Sequence, residues 1–159
     1  MARDIAMKRR SFFARVAAIA GAAALPSRAQ IRFQPPQDIT PLILEITKGV
    51  TPEKKGVEVE LPVLVENGNT VPLRVRVASP MTDADHVKAI HVFAERNPRP
   101  CVASFYLGAL CARPEVSARI RLAGTQTVTV LAELSGNRYW VGPRDVLVTS
   151  GACLDDASL

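Results

Sequence analysis

The chain has 159 residues, a formal net charge of +5 and a sequence pI near 9.5. The positive excess is confined to residues 1–29, where six basic residues oppose one acidic residue, so the 14 basic and 14 acidic residues that follow balance each other. Residues 30–159 are long enough for one domain with its own core, and their neutral balance gives no reason to expect nucleic acid or an anionic membrane as partner.

Residues 1–29 have the three parts of a secretory leader. The basic sequence KRR at 8–10 precedes two phenylalanines, an apolar run covers 14–25, and Ala29 ends a small-residue cleavage site. Paired arginines favour the twin-arginine export route, with cleavage before Gln30. Because the apolar run is shorter than the roughly 20 residues that span a bilayer, we predict a periplasmic protein with no membrane anchor after leader removal.

The first predicted element after the leader is a short helix. Thr40 is the expected N-cap, Pro41 suits the first turn, and Gly49 follows Lys48 as a stop signal. Proline at the start and glycine at the end are typical of helix borders. The sequence therefore predicts one helix over residues 40–48.

Beyond this helix, apolar residues recur at every second position, which is the period of a half-buried strand. Segments 57–61 and 71–77 flank an Asn-Gly turn at 67–68 and predict a hairpin with one solvated face; Pro62 and Pro72 indicate a sheet edge or a bulge. The predicted strands cover residues 57–61, 71–77, 88–95, 101–107, 116–122, 127–134 and 146–149. About seven strands with turns every eight to twelve residues are typical of an immunoglobulin-like β-sandwich, so the predicted fold is all-β with one short N-terminal helix.

The supply of metal ligands and nucleophiles is small. His86 and His91 are five residues apart, which places their side chains on opposite faces of a strand. Soft ligands do not cluster around them, so we predict no metal site. No glycine-flanked serine motif occurs, and neither histidine has an evident acid partner, so we also predict no catalytic residue and no cofactor.

Three cysteines are present, and an odd number leaves at least one thiol without an internal partner in an oxidising compartment. Cys101 and Cys111 form the simplest disulfide pair. A strand of roughly 20 Å would separate them, whereas a bridge needs α-carbons within about 7 Å, so the intervening loop would have to fold back. Otherwise both residues are thiols without a role.

The third cysteine, Cys153, lies in the C-terminal segment 148–159. A thiol on a slender terminal arm can enter the active site of another protein, which a core cysteine cannot do. The arm residues next to it are Ser150, Gly151, Ala152 and Leu154. We therefore interpret residues 30–147 as the domain and residues 148–159 as a cysteine-bearing arm.

The order of several sequence blocks resembles SoxY, the sulfur-carrying subunit of the periplasmic thiosulfate-oxidising system. These blocks are ENG at 66–68, VP at 71–72, SPMT at 79–82, VKAIHVFAERNP at 87–98 and VSARIRLAGTQ at 116–126. The resemblance continues to the cysteine arm and covers essentially the whole chain after the leader.

The resemblance implies an immunoglobulin-like subunit that pairs with a SoxZ-like partner and carries sulfur intermediates covalently on Cys153. On this model, periplasmic oxidoreductases and hydrolases of a sulfur oxidation pathway load the thiol and process its adduct. The chain would be a carrier and not an enzyme, and the covalent sulfur adduct would be its only attached group.

The C-terminal arm departs from the usual Gly-Gly-Cys-Gly-Gly ending of that family. Ala152 replaces one glycine and Leu154 follows the cysteine, ahead of Asp155 and Asp156. With this variant arm, the protein could also be a SoxY-like carrier that serves a different periplasmic oxidation pathway. The sequence is also compatible with an assembly module whose Cys153 forms an intermolecular disulfide, and with a cysteine that is incidental to function.

Overall fold

A computed structural model describes residues 35–152. Within this range the chain forms one helix and eight strands: α1 (Thr40–Thr47), β1 (Val57–Glu60), β2 (Leu64–Asn67), β3 (Val71–Val77), β4 (Val87–Ala94), β5 (Cys101–Tyr106), β6 (Glu115–Ile120), β7 (Gln126–Leu134) and β8 (Arg138–Ser150). A three-stranded sheet has the order β1-β3-β6, and a five-stranded sheet has the order β2-β8-β7-β4-β5. The predicted all-β sandwich with one short helix is confirmed, with eight strands in place of about seven.

The two sheets pack together through alternate residues of their strands. In β3, Val71, Leu73, Val75 and Val77 are buried, whereas Arg74 is exposed. The core between the sheets also contains Ile90, Val92, Ile120, Leu122, Val128, Val130, Val146 and Val148. Since successive strand residues point to opposite faces, this period-two pattern commits one face of each sheet to the interior.

Helix α1 covers the opposite face of the five-stranded sheet. There Phe93 and Leu131 form a second apolar cluster with Ile39, and part of α1 packs against it. The N-cap lies one residue earlier than predicted, because Ile39 occupies it and Thr40 is already helical. The Asp38 carboxylate accepts a hydrogen bond from the Thr40 N–H at 2.9 Å, and hydrogen bonding to Thr40 lowers the pKa of Asp38.

The predicted hairpin is interrupted by a strand that the sequence pattern did not reveal. Strands β1 and β3 pair antiparallel as expected, but β2 lies between them in the chain and pairs in parallel with β8 in the other sheet. Only Val65 of β2 is buried, so the segment has almost no apolar alternation. Pro72 is accepted in β3 because the ladder to β1 ends at the Glu60–Arg74 pair, before the proline is reached.

Strand β8 is much longer than the predicted segment 146–149. It continues β7 after a turn at Gly136 and Asn137, both with positive φ, and pairs with β7 from Arg138 to Val146. Within residues 35–152, no helix has the length and apolar character needed to cross a membrane. The predicted leader at 1–29 lies outside the described residues.

Candidate functional site

The candidate site begins at the C-terminal end of β8, which leads to the cysteine segment. Val65 of β2 lies opposite Val148, and Asn67 lies opposite Ser150. The Thr149 hydroxyl donates a hydrogen bond to the Glu66 carbonyl at 3.0 Å. Residues 148–150 therefore belong to the sheet, and the arm predicted to begin at residue 148 does not begin there.

Three backbone hydrogen bonds hold the residues that follow. The Gly68 N–H donates to the Ser150 carbonyl at 2.7 Å, and the Leu122 N–H donates to the Gly68 carbonyl at 2.9 Å. The Ala152 N–H in turn donates to the Leu122 carbonyl at 2.8 Å. We call Gly68, residues 122–124 and residues 150–152 the tail anchor. It fixes the backbone up to the residue before Cys153.

Two glycines permit the close approach of the chains in the tail anchor. A Cβ added at Gly68 would lie 2.9 Å from the Ala152 nitrogen, and one added at Gly151 would lie 2.7 Å from the carbonyl carbon of Ala123. Neither position has room for a side chain. Gly151 thus serves close packing against the domain, and the sequence interpretation of Gly151 and Ala152 as a slender mobile arm is corrected.

Ala152 is also part of the packed domain, with only 2% of its surface exposed. Its methyl group is buried. The replacement of a family glycine by Ala152 therefore changes the packed domain and not an exposed arm. Of the predicted site residues, Ser150, Gly151 and Ala152 are brought together in the tail anchor. Cys153 and Leu154 lie outside the described residues.

A buried amide network supports the 122–124 part of the tail anchor. Asn97 is 6% exposed; its side-chain oxygen accepts hydrogen bonds from the Ala123 N–H at 2.9 Å and from the Gln126 side chain at 3.2 Å. Its side-chain nitrogen donates to the Arg121 carbonyl at 2.7 Å. Sequence reasoning gave Asn97 no role, so this support was missed. No local signal marked it, because its partners lie 24 to 29 residues away in the chain.

The two other cysteines are both free thiols. The Cys101 sulfur lies 3.8 Å from the Ser104 hydroxyl, and the Cys111 thiol donates to the Arg113 carbonyl at 3.1 Å. The disulfide considered between Cys101 and Cys111 is therefore absent. Cys101 begins β5 and Cys111 lies in the loop beyond its other end, so the length of the strand separates them as the strand geometry predicts.

The histidines occupy different environments. His91 is buried in β4, where one ring nitrogen, Nδ1, lies 2.8 Å from the Ser104 hydroxyl oxygen and the other, Nε2, has no partner. Burial lowers the pKa of His91, and the charge of Glu133 opposes this shift. Nδ1 of His86 lies 3.1 Å from the Thr82 carbonyl oxygen. Between residues 35 and 152, no three His, Cys, Asp or Glu residues are grouped to hold a metal ion.

An apolar patch lies beside the tail anchor on the outer side of β2 and β8. Leu64 and Leu147 are opposite one another in the parallel ladder and are 57% and 52% exposed, next to Val63 at 61%. We call Val63, Leu64 and Leu147 the edge patch. Strand β2 is also an edge strand of its sheet, so both side chains and backbone groups are available there to a partner.

Fold and site together define a β-sandwich whose last strand delivers an anchored backbone to a C-terminal cysteine. The sequence profile of the family described as "Sulfur oxidation protein SoxY" matches residues 44–153 and ends on that cysteine. The chain belongs to the SoxY family.

One solved structure of the same family agrees with this assignment, and others share the fold. The sulfur carrier protein SoxY from Chlorobium limicola f thiosulfatophilum is 31% identical, with 69% of this chain and 94% of that chain covered and a TM-score of 0.55. A superoxide reductase (neelaredoxin) from Ignicoccus hospitalis is 16% identical over 77% of this chain and 98% of that chain, with a TM-score of 0.54. A superoxide reductase from Nanoarchaeum equitans is 11% identical over 60% of this chain and 100% of that chain, with a TM-score of 0.52. These two low identities show a shared fold alone. No curated protein sequence matches this chain.

Proposed function

We propose that this protein is a periplasmic carrier that holds sulfur intermediates covalently on Cys153 and presents them to partner enzymes of sulfur oxidation. One observation carries the proposal: the family match ends at Cys153, and the tail anchor fixes the residue immediately before it. The 31% identical sulfur carrier supports the same role.

The chemistry assigned to Cys153 is reversible formation of a sulfur–sulfur bond. Joining its thiol to the thiol of a small sulfur compound forms one S–S bond and releases two protons and two electrons. A partner oxidoreductase must supply the electron acceptor. The thiolate is the reacting form, so loading is expected to accelerate as pH rises above neutrality.

The carrier domain contributes tethering and presentation rather than catalysis. Covalent attachment keeps the cargo at a high effective concentration while successive enzymes act on it. Partner oxidoreductases and hydrolases supply the reacting groups, so the carrier itself needs no catalytic side chain. The departures at Leu154, Asp155 and Asp156 favour partners whose entrance accepts a larger and more acidic tail than a glycine-only ending.

The decisive experiment is intact mass spectrometry of the protein purified from its native periplasm without reductant. We expect a mass increment that a thiol reductant removes and that maps to the peptide containing Cys153. A Cys153→Ser variant should lose the increment completely, whereas the matched Cys101→Ser variant should retain it, because Cys101 is also exposed but lies on the sheet edge. An increment that persists in Cys153→Ser would contradict the proposal.

The same samples separate the carrier from an assembly module. Electrophoresis without reductant should show a monomer-sized chain with a small adduct. A stable covalent dimer that disappears in Cys153→Ser would instead support an intermolecular disulfide as the role of this cysteine.

Export by the twin-arginine route is the second part of the proposal, and the sequence of the leader supports it. Replacing Arg9 and Arg10 by lysine is expected to leave the precursor in the cytoplasm, whereas Arg15→Lys, a matched change outside the pair, should leave export intact. Cell fractionation measures the distribution. Export of the double variant by a route independent of the twin-arginine machinery would contradict this part.

A SoxZ-like subunit is the proposed heterodimer partner, and the edge patch is its proposed docking site. Three exposed aliphatic side chains beside an edge strand match the apolar core of a stable interface. Leu64→Asp should weaken co-elution with the SoxZ-like subunit of the same organism in size-exclusion chromatography. Leu110→Asp is the matched control, because Leu110 is 98% exposed beyond β5, at the opposite edge of the same sheet. Equal effects of the two variants would refute this placement.

A further inference from the structure

We propose that Gly68 is a positioning residue for the carrier thiol and acts through the backbone contacts of the tail anchor. This inference rests on the proposed carrier function and deepens it. Gly68 bridges two elements: it donates to Ser150 and accepts from Leu122, the same residue whose carbonyl receives the Ala152 N–H. Removing Gly68 from its position therefore disturbs both ends of the segment that leads to the thiol.

The fixed backbone sets the point from which the thiol leaves the domain. Ala152 is buried and hydrogen-bonded, and Cys153 is joined to it by one peptide bond. The distance that the sulfur can reach is therefore measured from residue 152. An arm that was free from residue 148 onwards would extend this distance by roughly 14 Å, at about 3.4 Å for each of its additional residues. A partner must bring its reacting centre close to the point where the chain leaves the tail anchor, at residue 152.

The absence of a side chain at Gly68 is a steric requirement of this arrangement. The nearest atoms to an added Cβ are the Leu122 carbonyl oxygen, the Ala152 nitrogen and the Ser150 carbonyl oxygen. All three are backbone atoms of the tail anchor, which cannot rotate away as a flexible side chain would. Because φ of Gly68 is not among the positive values, its role is close approach rather than left-handed geometry.

The test compares Gly68→Ala with Gly124→Ala in a mature protein whose Cys101 and Cys111 are replaced by serine. Gly124 lies in the same tail anchor, but an added Cβ there meets nothing within 4 Å. Two readouts are measured: amide hydrogen exchange at Ala152, and the rates of Cys153 alkylation by iodoacetamide and by a maleimide attached to a folded protein through a short linker.

In Gly68→Ala we expect the Ala152 amide to exchange about tenfold faster, the effect of losing one backbone hydrogen bond, while the Val130 amide in the core keeps its protection. The ratio of bulky-reagent to iodoacetamide rates should rise, because a released segment carries the thiol further from the domain. Gly124→Ala should match the parent in both readouts. Equal behaviour of the two variants overturns the positioning role.

A second variant tests the same point without stress on the fold. Inserting one glycine between Ala152 and Cys153 lengthens the exit by about 3.4 Å and leaves every contact of the tail anchor in place. We expect the bulky-reagent ratio to rise with Ala152 exchange unchanged. An unchanged ratio would show that the exit point does not control access and would overturn the proposal. These readouts require no sulfur cargo, so a carrier without adduct in mass spectrometry would contradict the proposed function separately.

Discussion

The start of β5 and the end of β8, the two regions next to Cys101 and Cys153, lie towards opposite edges of the five-stranded sheet and are built in different ways. At the start of β5, Cys101 is exposed on an edge strand, and its sulfur lies 3.8 Å from the Ser104 hydroxyl oxygen. At the end of β8, the backbone before Cys153 is held by three hydrogen bonds and two steric approaches of glycine. The comparison teaches that two cysteines of one domain can differ in how firmly the backbone beside them is held, and that the firmer support here precedes Cys153.

The largest expected difference between the two regions concerns their buried polar support. Asn97→Ala should reduce the free energy of unfolding by about 3 kcal/mol, because it leaves the Ala123 N–H and the Arg121 carbonyl without their partner. Ser104→Ala, which removes one hydrogen bond to His91 at the β5 edge, should cost about 1 kcal/mol. Urea denaturation of both variants measures this. Equal losses would show that the tail anchor has no special support.

Steric tolerance provides the next contrast. Gly151→Ala should destabilise the domain by about 2 kcal/mol, because the added methyl meets the backbone of Ala123 and overpacks the site. Gly108→Ala, in the loop after β5 with nothing within 4 Å of an added Cβ, should change stability by less than about 0.5 kcal/mol. Thermal unfolding monitored by circular dichroism distinguishes them. A Gly151→Ala protein as stable as the parent would argue against close packing at this point.

The stability of the region around β5 is expected to depend on pH through His91, whose ring contacts Ser104 of that strand. Burial lowers the folded-state pKa of His91, so the unfolded chain binds protons more readily. The stabilising effect of keeping the ring neutral is therefore complete above about pH 6.5 and is lost as pH falls below that value. Denaturant midpoints between pH 5 and pH 8 should decline towards the acid side. His91→Gln should flatten this slope, whereas His86→Gln should retain it because the buried ring is still present.

The smallest predicted effect concerns the acidic tail. Replacing Asp155 and Asp156 by asparagine should speed the reaction of Cys153 with an anionic disulfide reagent by less than tenfold, because removal of like charge favours the thiolate but solvent and salt screen it. The reaction rate of Cys101 in the same protein is the internal control. A slower reaction at Cys153 would show that the carboxylates assist the thiol.

The sequence predicted those elements whose own residues determine them. The alternation of Val71, Leu73, Val75 and Val77 predicted β3 with its observed bounds, and Pro41 with Gly49 placed the helix to within one or two residues. Strand β2 was missed because its register is set by pairing with β8, which is distant in sequence, and not by its own apolar residues.

Only the part of the candidate site that depends on sequence position was predictable. The odd number of cysteines, the family resemblance and the position of Cys153 near the C-terminus together predicted it as the site residue. The tail anchor was not foreseeable, because the role of Gly68 and Gly151 depends on backbone atoms of Leu122 and Ala123 that only the folded chain brings near. Gly151, two residues before Cys153, suggests a flexible segment when the sequence alone is considered, whereas its close contact with the Ala123 backbone shows tight packing.

The pairing of β8 has a mechanical consequence. Its ladder to β7 covers nine residue pairs from Gln126–Val146 to Leu134–Arg138, and β2 pairs with it in parallel on the other side. A pulling force directed along β8 would load these ladders in shear, so many hydrogen bonds would resist it at once. The domain is therefore expected to resist unravelling from its last strand when its C-terminal segment is pulled.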